Sequence, residues 1–219
     1  ALPIFSRAMN RIYEVEEGRS FVKLKLSMLL TTLTVVITVV LIFLMILLSG
    51  GIAETLGNAI GLGATSLTVW NIAKWPVILV LLMLLVAVLY YRTPNVRQPK
   101  FRWISPGAVF AILGAILAAG AFSVYATQFA TQTATYGVIG AVILGLLGVW
   151  IFNNVLLLGA ELDAEIERTR ELQAGLPAED TLQLPPRDVR TIVSKIEKQD
   201  KLIEQGRQLR LDSDSGIDY

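Results

Sequence analysis

Asn154, Glu161 and Glu165 stand at i, i+7 and i+11, a spacing that puts an amide and two carboxylates on one face of one helix. At the end of a hydrophobic run such a face makes a polar mouth. Arg92 and Arg97 lie near enough in depth for an ion pair with Glu161 across the bundle. The plainer account has Asn154 bonding a neighbouring helix while the glutamates meet water. A second polar pattern, Ser27, Thr31, Thr34 and Thr38, follows the same helical spacing. Helix packing explains it better than a substrate path does, because small hydroxyl residues let membrane helices approach and bond across the contact. Little else offers bond-breaking chemistry. The chain has no cysteine and no histidine, which removes thiol chemistry, thiolate metal sites and the commonest general base. No catalytic residue, cofactor site or metal site is expected.

These residues sit among elements whose nature follows from composition. Of 219 residues, 54% are hydrophobic and 17% charged, proportions that do not fit a water-soluble globule. A formal net charge of +1 gives no basic excess for nucleic-acid binding. Charge-free runs mark the crossings, since an ionised side chain at the bilayer centre costs about 2.5 to 3.5 kcal/mol on the insertion scale. They extend over Leu26–Ala53, Trp75–Tyr91 and Trp103–Ala160. The last is long enough for two crossings, with the turn at the polar stretch Thr127–Thr133. The expected architecture is all-α: a polytopic bundle of four transmembrane helices, about 26–49, 71–91, 106–126 and 136–159.

Orientation follows from Lys and Arg near the span ends. Arg7, Arg11, Arg19, Lys23 and Lys25 precede the first span, Arg92, Arg97, Lys100 and Arg102 separate the second from the third, and Arg168 and Arg170 follow the fourth. Residues 50–70 and 127–135 contain none. Both termini are therefore expected in the cytoplasm, with Lys74 the single exception, snorkelling outward. Residues 1–25 read as a cytoplasmic amphipathic segment with Leu2, Phe5, Met9 and Ile12 on one face. Residues 50–69 read as a short outer-surface helix carrying Ile52, Leu56 and Ile60 on one side. From Ala160 onward, 9 Lys+Arg face 14 Asp+Glu. This acidic cytoplasmic tail, 161–219, is expected to continue the fourth helix to about Gln173. A Pro- and Gly-bearing linker over 174–186 and a helix over about 187–205 follow, with Gly206 as its stop and a disordered end.

Several ordered motifs resemble one family. Tyr91-Arg92-Thr93-Pro94-Asn95-Val96-Arg97 followed by Phe101-Arg102-Trp103-Ile104-Ser105-Pro106-Gly107-Ala108 is similar to the inner loop and following helix start of the YihY/BrkB family of bacterial inner-membrane proteins. Ala134-Thr135-Tyr136-Gly137 and Leu157-Leu158-Gly159-Ala160-Glu161-Leu162 look like the ends of that family's final helix, and Ala8-Met9-Asn10-Arg11-Ile12-Tyr13 resembles the end of an earlier one. The resemblance covers residues 5 to 170 and implies a six-span pattern of which this chain carries the last four. A fragment, or a natural short form whose first pair is absent or supplied by a partner, is the expectation. In that pattern residues 1–13 end a membrane helix, and four spans leave an apolar face to be covered by a partner helix or a second copy.

The resemblance further implies labels of ribonuclease and virulence factor, and a role in transport or export. Hydrolysis of RNA calls for clustered ligands or paired acid and base groups in one pocket, which this composition does not favour, so an enzyme is not expected. The reading is a multi-pass inner-membrane protein that transports or exports a small or lipid-like molecule, with Asn154, Glu161, Glu165, Arg92 and Arg97 at its mouth. The rival is a non-catalytic structural or accessory subunit of a larger membrane complex. The expected partners are the lipid bilayer and other membrane helices, not nucleic acid.

Overall fold

The computed structural model of the chain describes residues 2–53, 55, 64–98, 104–132 and 137–215. Six helices order these residues: α1 (Leu2–Ile12), α2 (Phe21–Leu47), α3 (Ala64–Arg92), α4 (Pro106–Gln132), α5 (Gly137–Gln173) and α6 (Arg190–Ser215). Four of them, α2 to α5, are long and apolar enough to cross a membrane. Their Leu-, Val- and Ile-rich runs become helices because a backbone surrounded by lipid must satisfy its own polar groups. α5, at 37 residues, is about 55 Å long, well beyond a hydrocarbon core of about 30 Å, so its last turns stand clear of the membrane. Of the expected outer helix of residues 50–69, residues 54 and 56–63 lie outside the described residues, while 64–69 already belong to α3 and so lengthen the second span.

The spans pack through small residues. α4 and α5 make the most extensive contact, and near the start of α4 Gly107 and Gly159 face each other so closely that a Cβ on either would meet the other's carbonyl oxygen. Ala108, Ala111, Ala160 and Ala164 are buried around this crossing. Along α5, Ala141 and Gly145 are exposed, while Gly148 packs on Phe122 and Val155 approaches Gly114. On α2, Thr31 and Thr38 are buried, and their hydroxyls donate to the carbonyls of Ser27 and Thr34 at 2.8 Å. The hydroxyl stripe thus satisfies itself within its own helix and offers a slim surface toward α3.

Lys74 departs from expectation. It is only 6% exposed, and its ammonium donates to Ser49 Oγ at 2.7 Å and Asn71 Oδ1 at 2.9 Å. Protein covers it, and it does not snorkel. Beside it the Trp70 indole donates to the carbonyl of Leu48 at 2.7 Å, occupying an acceptor that the end of α2 leaves open.

The densest core lies at the basic end of the bundle. Phe5, Met9 and Tyr13 from α1 and the turn after it pack with Val86, Leu89 and Tyr90 of α3, Ala111 and Ile112 of α4, and Ala160 and Ala164 of α5. Val96 and Leu182 complete this core, so the segment between α5 and α6 is no loose tether. Its residues 185–187 run antiparallel to 95–97: Arg97 N–H donates to Pro185 O at 2.9 Å, and Arg187 N–H to Asn95 O at 2.8 Å. We call residues 182–191 the strap. α6 begins at Arg190, within its last residues, and continues through Gly206 to Ser215, past the position where glycine was expected to end it. A glycine weakens a helix by about 1 kcal/mol, but it stops one only where the backbone turns left-handed.

Candidate functional site

A cleft of about 520 Å³ separates α1 from α5 at the basic end. α5 contributes Asn154, Leu157, Leu158, Glu161 and Arg168, and α1 with the turn after it contributes Ala8, Arg11, Ile12 and Glu14. Helical spacing aligns the α5 residues, so the leucines form an apolar floor and the charged groups a rim nearer the end of the bundle. Arg168 and Glu14 pair at 2.9 Å across the cleft. Arg168 also lies 3.4 Å from Glu165 and donates to the carbonyl of Ala178 at 3.1 Å. Glu14 accepts the backbone N–H of Leu182 at 2.8 Å; that bond, with the guanidinium of Arg168, holds its carboxyl below the ordinary range.

Of the residues singled out from sequence, Asn154 and Glu161 line this cleft together. Glu165 stands one turn further on, against Arg168. Asn154 donates to the carbonyl of Trp150 in its own helix at 2.8 Å. Arg92 and Arg97 are not brought to Glu161: the carbonyl of Arg92 accepts from Arg19, and Arg97 joins the strap through its backbone. Glu161 and Arg11 take part in no ion pair among the described residues.

Two constellations escaped the sequence reading. The first is a buried polar clasp. Arg19, its side chain 2% exposed, is held by both carboxylate oxygens of Glu17 at 2.7 Å and donates to Thr93 O at 3.0 Å. Asn10 donates to Glu17 at 3.0 Å and accepts the N–H of Asn95 at 2.7 Å. The Asn95 amide in turn donates to the carbonyls of Glu16 and Asp188 at 2.9 Å each, and Lys23 closes on Asp188 at 2.7 Å. Burial opposes ionisation of Glu17, yet the hydrogen bonds from Arg19 and Asn10 outweigh it, and its carboxyl is held below the ordinary range. Asp188 is lowered too, through Lys23 and the Arg190 backbone. The second constellation joins α4 to α5: Asp163 accepts the Ser105 hydroxyl and the Gly107 N–H, and Ser105 caps Ala108 at 3.0 Å. Beside it a cavity of about 60 Å³ is lined by Tyr13, Tyr90, Asp163, Glu167 and Arg170 among others. Burial, with Asp163 and Glu167 nearby, raises the Tyr13 phenol, so it stays protonated. Among the described residues, no three His, Cys, Asp or Glu side chains cluster closely enough to hold a metal ion.

Comparison with known proteins agrees with this architecture. The chain is 31% identical over 166 residues to the ribonuclease-like protein YfkH of Bacillus subtilis, a match covering 76% of this chain and 60% of that protein. A UPF0761 membrane protein of Chromohalobacter salexigens is 39% identical over 85 residues, 39% of this chain and 20% of its own. One from Idiomarina loihiensis is 36% identical over 108 residues, 48% of this chain and 37% of its own. The chain thus spans less than two thirds of the length of each of these relatives. No solved structure matches it. The family described as Virulence factor BrkB matches residues 3–182, from the first turn of α1 to the start of the strap. With four membrane-length helices inside that match, the chain is a multi-pass membrane protein of the BrkB family.

Proposed function

We propose that the chain belongs to a protein that transports or exports a small or lipid-like molecule, with the α1–α5 cleft as its mouth and its basic end in the cytoplasm of a bacterial cell. The observation that carries this reading is the cleft, which sets a charged rim over an apolar floor where α5 leaves the membrane. Such a surface suits an amphipathic solute better than a bare ion. The ribonuclease-like label belongs to the relative in Bacillus; with no histidine or cysteine in this sequence, a hydrolytic reading has little support. The test is flux of labelled phospholipids and small polar solutes through proteoliposomes carrying the protein. Arg11→Gln and Glu161→Gln should each lower the flux of the true substrate, while Glu197→Gln on the exposed face of α6 leaves it unchanged. Equal flux in all of them would sink the assignment of this cleft.

A structural subunit is the second reading, favoured by one observation. Only 6% of the apolar stretch of α5 is buried, and Val138, Ile139, Leu146 and Trp150 all stand more than 60% exposed along it. Neighbouring helices could cover that face. Cross-linking from Leu146→Cys to a foreign chain in native membranes, combined with absent flux, would select this reading.

A further inference from the structure

We propose that the α1–α5 cleft binds the head group of a zwitterionic phospholipid, its phosphate on Arg11 and its ammonium on Glu161; this deepens the transport reading and rests on it for its purpose. The charge arithmetic comes first. Four ionisable side chains line the cleft: Arg11, Glu14, Glu161 and Arg168. Glu14 and Arg168 answer each other at 2.9 Å and are further held by Leu182 N–H, Glu165 and the Ala178 carbonyl. One cation and one anion remain uncommitted, Arg11 and Glu161, facing the same space. A ligand with one charge of each sign satisfies both, whereas an anionic head group leaves Glu161 against a phosphate and a neutral one leaves both charges unanswered.

Depth and shape agree with a lipid. Along α5 from Glu161 toward the membrane lie Leu158 and Leu157, then Asn154, so the charged rim and the apolar floor are separated by about 5 Å of helix rise. That separation matches a head group above the first methylenes of an acyl chain, with Ala8 and Ile12 of α1 as the opposite wall. The cleft volume of about 520 Å³ lies within the roughly 300–1,000 Å³ of small-ligand sites.

The experiment is native mass spectrometry of the protein in mild detergent with equimolar phosphatidylethanolamine, phosphatidylglycerol and diacylglycerol. The wild type should retain phosphatidylethanolamine about ten-fold over the other two. Glu161→Gln should reverse the order toward phosphatidylglycerol, because the cleft then keeps a cation without its anion, and Arg11→Gln should lose both phospholipids. Glu197→Gln should behave as wild type. Arg11 and Glu161 are exposed, and unchanged melting of the variants confirms that folding is not what is read. Equal retention of the three lipids, or a preference unmoved by Glu161→Gln, overturns the proposal. Displacement of the lipid by glycerophosphoethanolamine, which has no chains, would assign the site to a soluble zwitterion and overturn the lipid. Selective binding without flux refutes the transport reading and leaves the site standing; flux without selectivity does the opposite.

Discussion

Asn95 is wholly buried and ties three segments distant in sequence: the turn after α1, the turn after α3 and the strap. Its side chain donates to Glu16 and Asp188 carbonyls and accepts the Asp188 N–H. Asn95→Ala leaves buried carbonyls without donors, and each such orphan costs about 1 to 3 kcal/mol. The expected result is a clear drop in the thermal transition in detergent, with Asn95→Asp at least as damaging because its second carboxylate oxygen faces the two carbonyls as acceptor against acceptor. A melting curve unchanged by Asn95→Ala would show that the clasp does not hold the fold. At this scale the sequence was partly legible. Asn154 and Glu161 were placed on one face because helical spacing is a local property. Their pairing with Arg92 and Arg97 was not realised, because equal depth in a membrane says nothing about position around the bundle. Glu171 shows the same limit: its place on a polar helix end reads as exposed, yet it is buried and accepts the Gln183 N–H at 2.8 Å.

The spans were legible as elements because each is a charge-free run, and the requirement for internal hydrogen bonding leaves helix as the outcome. The strap was not, since it is held by main-chain bonds to residues roughly ninety and one hundred and seventy positions away, and no local pattern encodes those. Two predictions belong here. Gly159→Ala places a methyl 2.5 Å from Gly107 O and the Tyr90 hydroxyl and 2.8 Å from Ala111 Cβ, so α4 and α5 must separate. Gly145→Ala meets nothing within 4 Å and should be neutral or raise helix stability by up to about 1 kcal/mol. Comparing the thermal transitions of the two variants checks this; equal effects would mean that the crossing is not where α4 and α5 are held. The strap should also respond to acid. Glu14, Glu17 and Asp188 all have carboxyls held below the ordinary range, so their contribution is fully present above the unfolded value of about pH 4 and is lost as pH falls through the lowered folded values. Spin labels on Glu16→Cys and Thr181→Cys should report one narrow distance at neutral pH that broadens only in acid. Broadening between neutrality and about pH 5 would contradict that assignment.

For the whole molecule, the charges and the packing point the same way. The core is dense at the basic end and thin along the spans, where Val138, Leu146 and Leu117 face outward. Exposed apolar faces of this kind suit lipid on some sides and other helices elsewhere. The proposed orientation rests on the distribution of Lys and Arg, and burial accounts for its one exception: Lys74 is enclosed by Ser49 and Asn71 and so adds no free cation to the far side. With the basic end holding α1, the turn after α3 and the strap, the orientation we propose from the positive-inside tendency has all three in the cytoplasm and the start of α3 outside. The absence of native cysteine makes this testable with single reporters. Ser66→Cys, exposed near the start of α3, should react with a membrane-impermeant maleimide added to intact spheroplasts. Glu197→Cys, on α6, should react only after lysis. Both sites lie clear of the clasp and the cleft, so neither substitution perturbs what holds the fold. The reverse labelling would turn the molecule over and move the cleft to the outer face. There the same groups would receive a ligand from outside and not release one from the cell.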